Sequence, residues 1–379
     1  MKKGSSQIRK SASNTYLLTA QLSWSFFATH YPYSSSSFIL PVQKTQTQSK
    51  LSFLNYTMAT SPWPSKFVGA HIYLPQPGIE GDSWDNIPNS WNDIRFDAVD
   101  VLFISPFFVN KIDYSIMLST GDDGTTSLGG RFEWVIRAAR SKNPNIKIIL
   151  EQFYGSCEGG GDYGIISNAS EVVQYANSVS NFIETYYNRM LPALDGPGEV
   201  SARIDGLDVD VEKGNLSSNL LSSILTTLRG SFDELSSKLS APRLTVSICP
   251  AWPTNLNAGM AQSCDYVNMQ NYSGGEGTDP SVFLQAIPGL SEQQQLSWGF
   301  ASEMPSVNTT QTFAAVKAKA QQIMNGRFAG TYNWRLNSTD YPFENDFQVW
   351  LYNFVHGASL PDAKPEAVVA QGWNNDGQE

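Results

Sequence analysis

A parallel α/β barrel is the fold this sequence predicts, and two observations carry the prediction. Eight short β-branched or apolar runs follow one another from Lys66 onward, and stretches of helical periodicity separate most of them. Such alternation is the habit of a sheet whose parallel strands are joined by helices. The chain is also 379 residues long and 41% apolar, so a single barrel of about 250 to 300 residues fits within it and can bury a large core.

Taken in order, the first strand is expected over Phe67 to Leu74 and the second over Val99 to Ser105. An amphipathic stretch, Arg131 to Arg140, leads to the third, Ile146 to Gln152. A longer one, Ala169 to Met190, opens at Asn168, whose side chain can accept the unpaired amides of a first helical turn. It leads to the fourth strand, Ile204 to Glu212. Leu216 to Leu239 precedes the fifth, Leu244 to Cys249, and the sixth follows at Tyr266 to Asn271. The seventh, Gln295 to Phe300, and the eighth, Phe328 to Trp334, flank the helical stretch Thr310 to Met324, and Phe343 to Val355 closes the pattern.

Residues 58–358 are therefore expected to form one domain, between a leader (1–57) and a surface tail (359–379) that shows no periodicity. The leader is serine-rich, with six basic residues and no acid. Its composition suits a transit peptide, a poor signal peptide, or a segment ahead of a natural start at Met58, and under each reading it is expected to be disordered. Its apolar stretch, Tyr16 to Ala28, is interrupted by Thr19, Gln21, Ser23 and Ser25 and is too short to span a bilayer.

The net charge is −10, and because the leader carries six positive charges the remainder holds about −16. Phosphate binding needs a basic face, so neither nucleic acid nor an anionic membrane is expected as a partner; neutral or cationic polymers suit this surface better. Three scattered cysteines, Cys157, Cys249 and Cys264, make no disulfide framework. That favours a cytoplasmic or non-classically exported protein over a conventionally secreted one. The three histidines, His30, His71 and His356, are too dispersed to suggest a zinc site or a serine triad, and no cofactor or metal is expected. The glycine-rich stretch GSCEGGGDYG, 155–164, lacks the Gly-Lys-Ser/Thr ending of a phosphate cradle and reads as the loop after strand three.

The richest segment is the end of the fourth strand, Asp205-Gly206-Leu207-Asp208-Val209-Asp210-Val211-Glu212. Side chains alternate along a strand, so Asp208, Asp210 and Glu212 project to one side, roughly 7 Å from one to the next, while Leu207, Val209 and Val211 project to the other. Asp205 has the opposite parity and reads as structural. Acids buried in a row cannot all ionise, and a carboxyl kept protonated near neutrality is what a general acid requires. An exposed strand or a calcium site are the duller readings, the second disfavoured by the β-branched backbone.

The pattern Asp-x-x-Asp-x-Asp-x-Glu on a strand, continuing to Lys213-Gly214, resembles the signature of glycoside hydrolase family 18, the chitinase family, and is most similar to its class III, hevamine-like branch. Several other segments resemble that family in the right order, over roughly residues 66 to 357. They are Ile72 to Gly78, matching at Tyr73, Gln76 and Gly78; Leu244-Thr245 with Ala251-Trp252-Pro253; Asp265 to Val267 with Gln270-Asn271-Tyr272; and Gly330 to Trp334. The resemblance implies a (β/α)8 TIM barrel with its site at the C-terminal ends of the strands.

It also implies roles. The family is an exception among retaining glycosidases, because the substrate's own 2-acetamido oxygen attacks the anomeric carbon. Glu212 would protonate the glycosidic oxygen and later activate water. Asp210 would orient the acetamido N–H, Asp208 would share a proton with Asp210, and Tyr272 would donate to the acetamido oxygen. Trp334 would stack beneath the sugar, with Tyr73, Gln270 and Gln76 completing the pocket and Trp252 lining a further subsite. Tyr73, Tyr272, Trp252 and Trp334 could instead be packing aromatics. The implied substrate is chitin or its oligomers; the N-glycan core is the alternative substrate, and a non-catalytic lectin or inhibitor the alternative class.

One stretch departs from the pattern. Glu151-Gln152-Phe153-Tyr154 stands where the family usually carries Ser-x-Gly-Gly, and Ser105 stands where class III enzymes tend to have Asn. In the family's register Glu151 would bring a fourth carboxyl toward Asp208 and Asp210.

Overall fold

The computed structural model describes residues 63–76, 86–121, 124–213, 216–272, 275, 278–303 and 311–375. The leader, Gly78, Gly214 and Thr310 lie outside them. Eight strands form the centre: β1 (Phe67–Tyr73), β2 (Val101–Asn110), β3 (Lys147–Gln152), β4 (Gly206–Val211), β5 (Thr245–Pro250), β6 (Tyr266–Met269), β7 (Leu296–Ala301) and β8 (Gly330–Trp334). Each pairs in parallel with its neighbours in sequence, and β8 returns to β1 through Phe67 opposite Gly330, so the sheet closes into a (β/α)8 TIM barrel.

The alternation of side chains divides these strands into two faces. Val68, Ala70 and Ile72 of β1, Leu102 and Ile104 of β2 and Leu207, Val209 and Val211 of β4 point outward and are buried beneath the helices. The helical layer includes α1 (Gly129–Lys142), α2 (Ala169–Tyr187), α3 (Ser218–Leu239), α4 (Pro280–Ala286), α5 (Phe313–Met324) and α6 (Tyr341–His356). Their buried stripes, such as Val172, Ala176, Val179 and Ile183 of α2, recur at three- and four-residue spacing. Asn168 caps α2 as expected, its side chain accepting from the amides of Ser170 and Glu171. Asp205 is structural, as its parity required: Arg140, Arg203 and the amide of Ile148 all donate to its carboxylate.

Two regions differ from expectation. The second strand, expected over Val99 to Ser105, runs on through Pro106 to Asn110 as β2. The pairing with β3 shifts between Ile104 and Phe107, the kind of irregularity in which a strand tolerates a proline. The extension lies against the short strands Ile116–Leu118 and Gly160–Gly161. Gly160 belongs to the 155–164 loop, and a Cβ there would sit 2.9 Å from the Cβ of Phe108, so the loop owes its close approach to glycine. The tail is also more than surface. Residues Glu366–Asn375 form a helix, α7, whose Val369 and Trp373 are buried against the core, with Trp373 packed on Phe347 of α6.

Candidate active site

Inward-facing residues fill the barrel in layers. Phe67, Val101, Phe103, Ile149 and Tyr332 form an apolar layer, and Gly299 makes room for it, since a Cβ there would lie 2.5 Å from the Tyr332 ring. Above it lie polar groups at positions two residues further along several strands. The register sets Asp208 opposite Glu151 on one side and Ser247 on the other, with Asp210 opposite Cys249.

The three acids climb from the barrel interior toward its mouth. Asp208 is wholly buried; Ser247 donates to its Oδ1, as does the amide of Asn268 at 2.8 Å. Ser297 holds Asn268 in turn, donating to Asn268 Oδ1 at 2.6 Å. Asp210 is 2% exposed and accepts from Gln270 Nε2 at 3.0 Å and from the Tyr154 amide at 3.4 Å. Glu212, just past the end of β4, is partly exposed and interacts with the Gln270 amide. No hydrogen bond joins Asp208 to Asp210 among those described: Asp208 accepts through Oδ1 from Ser247 and Asn268 while its Oδ2 has no partner, and Asp210 accepts from Gln270 and the Tyr154 amide.

Burial is the largest influence on all three. It pushes Asp208 up to about 7, with the charge of Glu151 adding to the effect and Ser247, His71 and Asn268 opposing it. Asp210 is driven well above the ordinary carboxylate range by burial and then by Glu212, Glu151 and Asp208. Glu212 rises to about 7, burial first, against the Gln270 amide and with Glu151. Tyr272 is 6% exposed and burial holds its phenol far above its usual range, so it keeps its hydrogen; its hydroxyl lies 3.4 Å from that of Tyr332.

These groups open into a cleft of about 180 Å³ lined by Glu151, Phe153, Tyr154, Asp210, Glu212, Cys249, Ala251, Trp252, Gln270, Tyr272 and Trp334. Of the residues singled out from sequence, Asp210, Glu212, Tyr272, Gln270, Trp252 and Trp334 meet there, and Asp208 underlies them. Trp252 stands at the rim, 41% exposed. Tyr73 lines a neighbouring polar cleft of about 370 Å³ with Ser119, Thr120 and Glu158. Gln76 is further off, accepting from Arg335, whose guanidinium covers the Tyr73 ring. Phe153 lies parallel to Trp334 at 6.2 Å and tilted against Tyr73 at 5.6 Å, so the bulk of the strand-three departure sits in the aromatic wall.

Sequence reasoning missed His71. Its ring stacks on Phe103 at 4.7 Å and its Nδ1 lies 3.1 Å from Glu151 Oε2, with both residues buried. Its parity with Tyr73 on the first strand was the available signal. His71, Glu151 and Cys249 offer atoms within 4.8 Å of one another, a donor set a zinc ion accepts. Two of them already hold each other, and Cys249 lies 3.3 Å from the Tyr332 hydroxyl with burial pushing its thiol upward, which disfavours the thiolate a metal requires.

No known protein-family profile matches the chain. No curated protein matches it by sequence either. Solved structures do. A class V chitinase from Nicotiana tobaccum in complex with NAG4 aligns with a TM-score of 0.54 at 13% identity, covering 81% of this chain and 99% of its own. A family GH18 chitinase from Cycas revoluta in complex with allosamidin gives 0.52 at 13%, covering 77% and 99%. The chain has the fold of family 18 chitinases. The chitinase-like agglutinin of Robinia pseudoacacia shares it too, at 0.51 and 15% identity over 75% of this chain and 99% of its own, so the barrel alone does not separate hydrolase from lectin. Nor does it single out the class III branch.

Proposed function

We propose that the chain is a family 18 glycoside hydrolase that cleaves β-1,4 bonds next to N-acetylglucosamine, in chitin or its oligomers, by substrate-assisted retaining catalysis. The observation that carries this reading is the graded acid row of β4 opening into an aromatic-lined cleft. Glu212, at the mouth and raised to about 7, has a proton to give the glycosidic oxygen at neutral pH and returns to carboxylate to activate water. Asp210, fixed by Gln270, faces the cleft where an acetamido N–H would lie and, once its own proton has passed to Asp208 beneath it, offsets positive charge on the oxazolinium intermediate. Tyr272 keeps the hydrogen it would donate to the acetamido oxygen, and Asp208 supports Asp210 from below. Trp334 supplies the stacking face.

A lectin needs the aromatic wall but not a carboxyl held protonated beside it, which is why the hydrolase reading is preferred. The experiment is incubation of the purified chain with chitin oligomers and with a glycoprotein, beside the variant Glu212→Gln. We expect release of shorter oligomers, and a fall in turnover of roughly 10² to 10⁴ in the variant with binding retained. Binding without cleavage by the parent chain would favour the agglutinin-like reading, and cleavage of the glycoprotein alone would move the substrate to N-glycan cores.

A further inference from the structure

The mechanism above makes no use of the His71–Glu151 pair, although it occupies the centre of the acid layer. Glu151 is 1% exposed, lies opposite Asp208 in the strand register and lines the cleft with Asp210 and Glu212. His71 is fully buried, its ring held between Phe103, Tyr332 and Trp334, and Glu151 is the polar partner of its Nδ1. The His71 Nε2 has no hydrogen-bond partner among the described residues, so the contact with Glu151 fixes the ring's polar orientation. Placing a fourth carboxyl in a dry layer is costly unless a partner offsets its charge. No lysine or arginine lines the cleft among the described residues, and His71 is the basic group that this layer brings to the acids.

We propose that His71 and Glu151 are a positioning pair for the acids of β4. Glu151 is placed to keep a proton on the Asp210–Glu212 part of the array, and His71 anchors it and moderates its charge. The titratable groups facing the pair are Asp208, Asp210 and Glu212 from β4 and its exit, Cys249 from β5, Tyr272 after β6 and Tyr332 from β8; β2 offers Phe103 and Ser105, which do not titrate in this range. Glu151 acts as a like charge on all three acids of β4, whereas His71 acts as an opposing charge on Asp208. The two members should therefore shift the array in opposite directions, which a pair serving only to fill space would not do.

The test is the titration of the Glu212 carboxyl, followed by carbon NMR on the full chain carrying ¹³C-labelled glutamate, beside the pH profile of kcat/KM. Glu151→Gln keeps size and hydrogen bonding while removing charge, and the Glu212 midpoint should fall by about one pH unit. The basic limb of the profile should move down by the same amount, because less Glu212 then carries its proton at a given pH. His71→Gln, which keeps a donor but cannot become charged, should raise the midpoint of Asp208, read in a chain labelled at aspartate. A midpoint unmoved in folded Glu151→Gln overturns the proposal, and one unmoved in His71→Gln overturns the part given to His71. Should Glu151→Gln not fold, Glu151→Ser carries the same prediction. If neither folds, the parent decides: a Glu212 carbon resonance that follows the curve of one isolated, exposed carboxyl overturns the pairing. The kinetic arm rests on the proposed hydrolase function, but the NMR arm does not. Midpoints that move in a chain without hydrolysis would sink the hydrolase reading and leave the pair, and hydrolysis with unmoved midpoints would do the reverse.

Discussion

The two faces of β4 are buried to the same degree and do opposite things. Leu207, Val209 and Val211 face the helices at no more than 1% exposure, while Asp208 and Asp210 face the lumen at no more than 2%. Outward, removal from water is itself the stabilising event, at roughly 25 cal/mol per Å² of apolar surface. Inward, the same removal is a cost, offset by Ser247, Asn268 and Gln270 and by protonation that burial forces on the acids. One six-residue strand is thus half scaffold and half candidate site. The lumen face gives up stability to hold buried carboxyls that keep their protons to higher pH than exposed ones do.

Removing apolar bulk from the helix-facing side should break the scaffold and leave the array's titration alone. Leu207→Ala is expected to cost about 2 to 5 kcal/mol of stability, equally at pH 5 and pH 8, because no ionisation is involved. Urea melts at the two pH values measure it, and a loss confined to one of them would show that the faces are not independent.

On the lumen side the dependence on pH should be strong. Asp208 binds its proton more tightly folded than unfolded, rising from 3.8 to about 7, so its contribution is fully present below about pH 4 and is lost as pH rises through 7. Asp208→Asn suits the site, because its Oδ1 can keep both donors and its amide takes the place of Oδ2, which has no partner among the described residues. The variant should flatten the decline in stability between pH 4 and 8 by up to about 4 kcal/mol. An unchanged slope in melts across that range would contradict the assignment. The smallest effect is expected at the rim: Trp252→Ala, at a half-exposed position, should weaken oligomer binding by about 1 kcal/mol in calorimetry without altering fold or pH dependence.

The same contrast explains what could be read in advance. Strand alternation is local, so the eight strands and the split of Asp208, Asp210 and Glu212 from Leu207, Val209 and Val211 were legible from the chain itself. The inward direction of Glu151 was implied by the resemblance to the family, and the strand register sets it opposite Asp208. The contact between His71 and Glu151 joins residues 80 apart and exists only once the barrel closes, so no window of sequence contains it. Nor does any window contain the stacking of Phe153 beside Trp334. The extension of β2 past Pro106 depends on partners from two later loops, and α7 offers only Val369 and Trp373 as an apolar stripe, too short a pattern to distinguish from a tail. Gln76 shows the converse: a residue matching a motif can be taken up by a neighbour, here Arg335, instead of the cleft.

In the proposed reaction the nucleophile belongs to the substrate, and the acids of β4 and its exit surround it together with Tyr272 and Trp334. Proton NMR of the first product formed from a chitin oligomer, with a fully deacetylated oligomer alongside, tests this most directly. The new reducing end should appear first as the β anomer, with the deacetylated oligomer left intact; initial α product, or cleavage of the deacetylated chain at a comparable rate, would show that the nucleophile is not the substrate's acetamido oxygen.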